Sequence, residues 1–351
     1  MSENGGPPLI GVSAALSFDE AALQSYLKDQ LPGFSGNLEV RQFNAGQSNP
    51  TYQLATGAKK YVLRKKPPGT LLPSAHAVDR EYRVMHALRD TPVPVPEMLH
   101  LCTDPSIIGT EFYVMEMVEG RVFHDPSLPG LSPAERSAFY HSFIKALADL
   151  HAVKPEAVGL GDFGKPKGYL SRQVSRWSQQ YAATETETIT AMNKLMDWLP
   201  ANLPEDDEAS IVHGDFRPGN AIAAPHSPEV IALLDWELCT LGHPFADLGY
   251  VCALYHADNL PTGQFKGLDY AALGIPTERE LVDLYCQYSG RDGIESHLFF
   301  VVFSFFRSAA IIQGVYKRGL EGNASSQKAL KLGHLARVRA ENAWRIVEEN
   351  F

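Results

Sequence analysis

The chain has 351 residues, more than one hydrophobic core usually spans, so two lobes are the expectation. A hydrophobic share of 44% with 21% charged residues fits a folded soluble protein and excludes a disordered one. The 41 acidic against 31 basic side chains leave a net charge of −10, which argues against nucleic acid or an anionic membrane as partner while permitting a local basic site.

Met1 to Leu16 has no basic segment ahead of its apolar residues and is broken by Gly5, Gly6, Pro7 and Pro8, unlike a signal peptide. Residues 1–35 form an extension whose short helix, Asp19 to Gln30, is stopped by Pro32-Gly33. Strand-like runs follow at Leu38–Phe43, Thr51–Leu54 and Tyr61–Lys65, the last two joined by a turn near Gly57, and Pro67-Pro68-Gly69 closes the region. A helix is predicted from about Ser74 to Leu88, with Val78, Met85 and Leu88 on its apolar stripe; Pro92, Pro94 and Pro96 forbid its continuation. The strand Phe112–Met117 then leads to a hinge at Glu119-Gly120.

Residues 36–118 are thus expected to form a small N-lobe of antiparallel strands plus one helix. Residues 119–351 should form a large, mainly helical C-lobe. Ser132-Pro133-Ala134-Glu135 is a capping box with proline at the first helical position, opening a helix that carries Phe139, Phe143, Ile144, Leu147 and Leu150. Leu298 to Tyr316 is the most apolar stretch, but Arg307 and Gln313 near its middle mark a buried helix rather than a membrane span. Cys102, Cys239, Cys252 and Cys286 lie far apart without metal-like spacing, so reduced thiols and a cytoplasmic location are expected.

One island interrupts the helices. His213-Gly214-Asp215-Phe216-Arg217-Pro218-Gly219-Asn220 follows the apolar pair Ile211-Val212, and a hairpin then ends in Asp235-Trp236-Glu237. Phosphoryl transfer asks for a carboxylate to orient and deprotonate an attacking hydroxyl, and for oxygens to hold Mg2+. Mg2+ takes hard oxygen donors, usually one or two from protein. The Asn220 amide and the Asp235 carboxylate supply them, leaving Asp215 as the base. Asp-x-x-x-x-Asn alone arises by chance; the preceding His-Gly and the hairpin ending in an apolar run plus Asp make it specific.

These segments resemble the catalytic and metal-binding motifs of the aminoglycoside phosphotransferase family, which includes choline-kinase-like relatives. The resemblance implies an α+β class with the bilobal protein-kinase-like fold, ATP as phosphoryl donor, Mg2+, and a small-molecule hydroxyl as acceptor. It implies the same roles for Asp215, Asn220 and Asp235, and a supporting one for Asp247, which braces the metal loop or caps a helix. His213 is expected to prop the loop through hydrogen bonds. Gly46-Gln47-Ser48-Asn49, Tyr61–Pro68 and Asp79-Arg80-Glu81-Tyr82 are most similar to the kinase-like domains fused to acyl-CoA dehydrogenases.

On the nucleotide side, alternation puts Val62, Arg64 and Lys66 on one strand face. The resemblance places Arg64 at the phosphate-binding cation, with Lys66 as competitor, and Glu81, on the helix's apolar stripe, as its partner. Ser48 should donate to the phosphates, with the Glu116 carbonyl and Val118 N–H meeting adenine. Arg217 either reaches the transferring phosphoryl or makes a salt bridge on the loop.

Gly159–Gly164 holds a literal G-x-G-x-x-G and D-F-G, but it follows a helix and precedes the catalytic loop, so neither motif applies. The acceptor pocket is expected from Gly159–Trp177, Trp236-Glu237 and Leu298–Tyr316. Basic residues there (Lys165, Lys167, Arg172, Arg176, Arg307, Lys317, Arg318) favour an anionic or neutral acceptor, and the resemblance to the dehydrogenase-fused subgroup implies a hydroxylated acyl group such as a hydroxyacyl-CoA. The alternatives are a nucleotide-binding pseudokinase module and, less favoured, a dehydrogenase-associated protein. Nothing in the sequence gives an oligomeric state.

Overall fold

The computed structural model describes residues 8–44, 49–57, 59–69, 76–322 and 327–351. The chain divides into two compact units: unit 1 is Met1–Val122 with Asn220–Cys239, and unit 2 is Phe123–Gly219 with Thr240–Phe351.

In chain order, β1 (Leu9–Ile10), α1 (Glu20–Gln30), β2 (Leu38–Phe43), β3 (Thr51–Thr56) and β4 (Lys59–Lys65) open unit 1. They are followed by α2 (Val78–Leu88), β5 (Met98–Cys102), β6 (Phe112–Glu116) and β7 (Arg121–Val122). Unit 2 begins with α3 (Pro133–Ala152), α4 (Tyr169–Thr184), α5 (Thr190–Ala201) and β8 (Ser210–Val212). β9 (Ala221–Ala223) and β10 (Val230–Leu233) belong to unit 1. Unit 2 resumes with β11 (Thr240–Gly242), α6 (Phe245–His256), α7 (Tyr270–Leu273), α8 (Glu278–Ser289), α9 (His297–Leu320) and α10 (Gly333–Asn350).

The six-stranded antiparallel sheet of unit 1 has the order β1-β2-β3-β4-β6-β5. Period-two alternation in β3 turns Tyr52, Leu54 and Thr56 to one buried face. Tyr52, Leu54, Tyr61 and Leu63 join Leu23 and Leu27 of α1 in one buried cluster. α1 is capped by Asp19, whose carboxylate accepts from the Ala22 N–H at 2.9 Å. α2 buries Val78, Glu81, Val84, Met85 and Leu88 and packs against β5 and β6. Its described helical residues begin at Val78; the expected start near Ser74 lies outside the described residues.

The 220–239 segment corrects the expected boundary. Chain order places it in the helical lobe, but it clusters with the strand-rich unit. β9 pairs with β7 and with β10, and the Leu233 N–H donates to the Pro94 carbonyl at 2.9 Å. Gly120 is what lets the β6–β7 connection lie against β9: a Cβ there would sit 2.3 Å from the Ala223 carbonyl oxygen.

In unit 2, α3 carries the capping box as expected, Ser132 and Glu135 satisfying each other's backbone N–H. α9 is long and apolar enough to cross a membrane, but 67% of its apolar window is buried. It packs against α4, α6 and α10. All four cysteines are buried and unbridged.

Candidate active site

Unit 1 gathers one half of the expected residues. Strand register sets Arg64 opposite Tyr113. Both reach Glu81: Arg64 Nε is 3.2 Å from its Oε2 and the Tyr113 hydroxyl donates to the same oxygen at 3.1 Å. Asn49 Nδ2 donates to Oε1 at 2.6 Å. The Arg64 guanidinium also meets Asp235 at 2.7 Å and Glu237 at 3.6 Å. One cation therefore serves three carboxylates. Lys66 instead pairs with Glu111 at 2.8 Å, so of the two competing cations only Arg64 meets Glu81.

Glu81 is 1% exposed. Burial pushes it up to about 7, Arg64 pulls it down, and Asp235 and Glu237 add repulsion. For Arg64, burial lowers the pKa, but Glu81, Tyr113 and Asp235 more than reverse this and hold it above its ordinary value. Arg64 stays charged, and its attraction is divided.

Asp235 adopts a left-handed backbone, φ 66° and ψ 58°, which a non-glycine residue holds only at a cost of order 1–3 kcal/mol. Asn220 is tied beside it: the Leu234 N–H donates to the Asn220 carbonyl at 2.8 Å. An amide and a carboxylate oxygen donor thus lie at neighbouring points of one hairpin, beside an excess of negative charge, which suits Mg2+. Among the described residues no group of three or more His, Cys, Asp or Glu is arranged to hold a metal. Glu116 ends β6, its carboxylate accepting from the Glu97 N–H at 2.8 Å. Val118 lies in the irregular segment before β7. Ser48 lies outside the described residues.

Unit 2 holds the other half. The loop after β8 is fixed by Asp247, 2% exposed, which accepts the N–H groups of His213 at 2.6 Å and Gly214 at 2.8 Å. Burial opposes its charge, but His151, His213 and the Gly214 N–H outweigh this and depress its pKa. His213, fully buried, accepts the Asp215 N–H on Nδ1 at 3.2 Å, which puts its ring proton on Nε2. His151 links the Tyr285 hydroxyl at 2.8 Å to Asp247 at 3.4 Å. Asp215 pairs with Arg217 at 3.3 Å, and burial, followed by the Asp215 charge, holds the Tyr250 phenol above its usual pKa.

Arg307 donates to the Gly214 carbonyl at 3.0 Å. Arg172 is spent on the carbonyls of Lys165 and Lys167. The Gly159–Gly164 loop is a packing element: a Cβ on Gly164 would lie 2.7 Å from Thr240 Oγ1. Within unit 2 a pocket of ≈ 90 Å³ is lined by Ser304, Phe305 and Ser308 of α9 and by Tyr250, Val251 and Leu254 of α6. Trp236 is buried with its indole N–H on the Leu233 carbonyl at 2.9 Å, and Glu237 turns to Arg64.

Sequence alone gives Tyr113 and Tyr250 no role, and names Asn49 only as part of the Gly46–Asn49 motif. Tyr250 alone left a signal there, three residues after Asp247 and hence on the same helix face.

The family model described as phosphotransferase enzyme family matches residues 39–282. A Ralstonia eutropha JMP134 crystal structure, of a candidate aminoglycoside phosphotransferase, is 48% identical with TM-score 0.87, covering 95% of this chain and 99% of that one. Acyl-CoA dehydrogenase family member 10 of Mus musculus is 48% identical over 97% of this chain, which spans only 32% of that protein. Choline kinase of Cryptosporidium parvum, 12% identical, has TM-score 0.67 over 94% of this chain and 96% of that one, a likeness of fold alone.

Proposed function

The chain belongs to the phosphotransferase enzyme family, and from that premise we propose that it transfers the γ-phosphoryl of ATP to a hydroxyl of a small molecule. The observation that carries the reading is the Arg64 guanidinium spanning Glu81 and Asp235, a phosphate-binding cation and a magnesium carboxylate in one cluster. Arg64 binds the phosphates and Glu81 positions it. Asn220 and Asp235 would hold Mg2+, which when bound neutralises phosphate charge.

Asp215 takes the proton of the acceptor hydroxyl. Arg217 orients its carboxylate, and Asp247 with His213 fixes the loop that carries it. The Glu116 carbonyl and Val118 N–H are assigned to adenine. The smaller share of the mouse relative covered by this chain leaves that protein's name no guide to the acceptor.

A metabolite-library phosphorylation screen with mass-spectrometric readout, using Asp215→Asn as blank, tests the reading. The substitution is expected to cut turnover by about 10²- to 10⁴-fold with ATP still bound. Transfer that survives it would overturn the assignment of the base, and Mg·ATP binding without transfer to any alcohol would mark a regulatory module.

A further inference from the structure

The ≈ 90 Å³ pocket of unit 2 has several times the room one water needs. Val251, Leu254 and Phe305 give it apolar walls, and Arg217, Tyr250 and Arg339 also line it. No Asp or Glu is among its described lining residues.

Arg339, from α10, is 3% exposed. Its Nη1 donates to the Asp258 carbonyl at 3.0 Å. The Asp258 carboxylate itself is taken by Lys266 and Arg345, each at 2.8 Å. Among the described residues no carboxylate forms an ion pair with Arg339. A guanidinium cannot relieve its burial by losing a proton in the working pH range, and a buried charge without a counter-ion is costly. Burial draws the Arg339 pKa down, against the opposing influence of Tyr250 and Asp258. The fold thus keeps a desolvated cation on a small cavity with no described carboxylate directly paired to it.

We infer that this pocket binds the anionic group of the acceptor, a carboxylate or phosphate ester on a small hydroxylated molecule, with Arg339 as its ligand. This rests on the phosphotransferase reading and narrows it to acceptors carrying negative charge. The planar fork of arginine matches either anion with two parallel hydrogen bonds. Arg217 ties the pocket to the chemistry, since it lines the cavity and pairs with Asp215 at 3.3 Å. A polycationic acceptor would meet two arginines and no acid there.

Calorimetric titration of the full chain without nucleotide tests this, using 3-hydroxybutyrate, glycerol 3-phosphate and the neutral 1,3-butanediol as probes. At least one anion is expected to bind and the diol not; which anion responds identifies the source of the charge. Arg339→Gln is expected to weaken the anion by about 10- to 100-fold, and Arg339→Lys by less. Equal binding of diol and anion, no anion binding with Kd below about 1 mM, or unchanged affinity in R339Q would overturn the inference. The wild-type comparison decides even where R339Q folds poorly. Arg339-dependent anion binding without phosphoryl transfer from ATP would leave the pocket assignment standing and remove the kinase reading. Transfer to neutral alcohols alone would do the reverse.

Discussion

At Arg64 the arithmetic of charge is uneven: Glu81, Asp235 and Glu237 share a single guanidinium. Glu81 is the most deeply buried of the three and holds its proton up to about 7, against a usual value of 4.5. Between those two values the folded chain binds more proton at this site than the unfolded chain, so stability falls as pH rises through the interval. Chemical denaturation between pH 5 and 8 should show this decline, and Glu81→Gln should flatten it; an unchanged slope in E81Q would place the titration elsewhere. The spacing Asp215, Asn220 and Asp235 was legible because motif residues sit close in sequence. Tyr113 and Asn49 were not, because their approach to Glu81 depends on strand register and on the course of a turn, neither of which local composition records.

Among the elements, those with strong local signals were read correctly from sequence. α1 and α3 carry side-chain caps at their N-termini, and β3 alternates in burial along its length. β7, β8 and β11 have two or three residues each, too few for a period, and exist because a distant partner completes their hydrogen bonds. β5 follows a proline cluster that argued only for an end. Helix packing sets a sharper constraint at Gly249 of α6, where a Cβ would lie 2.6 Å from both the Phe300 Cβ and its carbonyl carbon. Gly249→Ala should therefore lose about 1–3 kcal/mol by urea titration. Gly293→Ala, with nothing within 4 Å of the new Cβ, should stay within about 0.5 kcal/mol of wild type.

For the whole molecule, the chain passes between units after Val122, Gly219 and Cys239. Unit 1 is consequently discontinuous, and sequence order concealed this by placing the hairpin among helices. A fragment ending at Val122 would lack β9 and β10, and Arg64 would lose Asp235 and Glu237. Such a fragment is expected to melt without a cooperative transition in circular dichroism, and supplying 220–239 by fusion after Val122 should restore one. A sharply melting 1–122 fragment would show that the hairpin adds little.

The same discontinuity bears on synthesis. Arg64 and its acidic partner Glu81 leave the ribosome together, whereas Asp235 is made more than a hundred residues after Val122. At about 5–20 residues per second that gap lasts roughly 6–20 s. For that interval the nascent strand-rich unit exposes the edge of β7 with no neighbour, a stretch of unpaired backbone that a chaperone or a wrong strand can reach before β9 does.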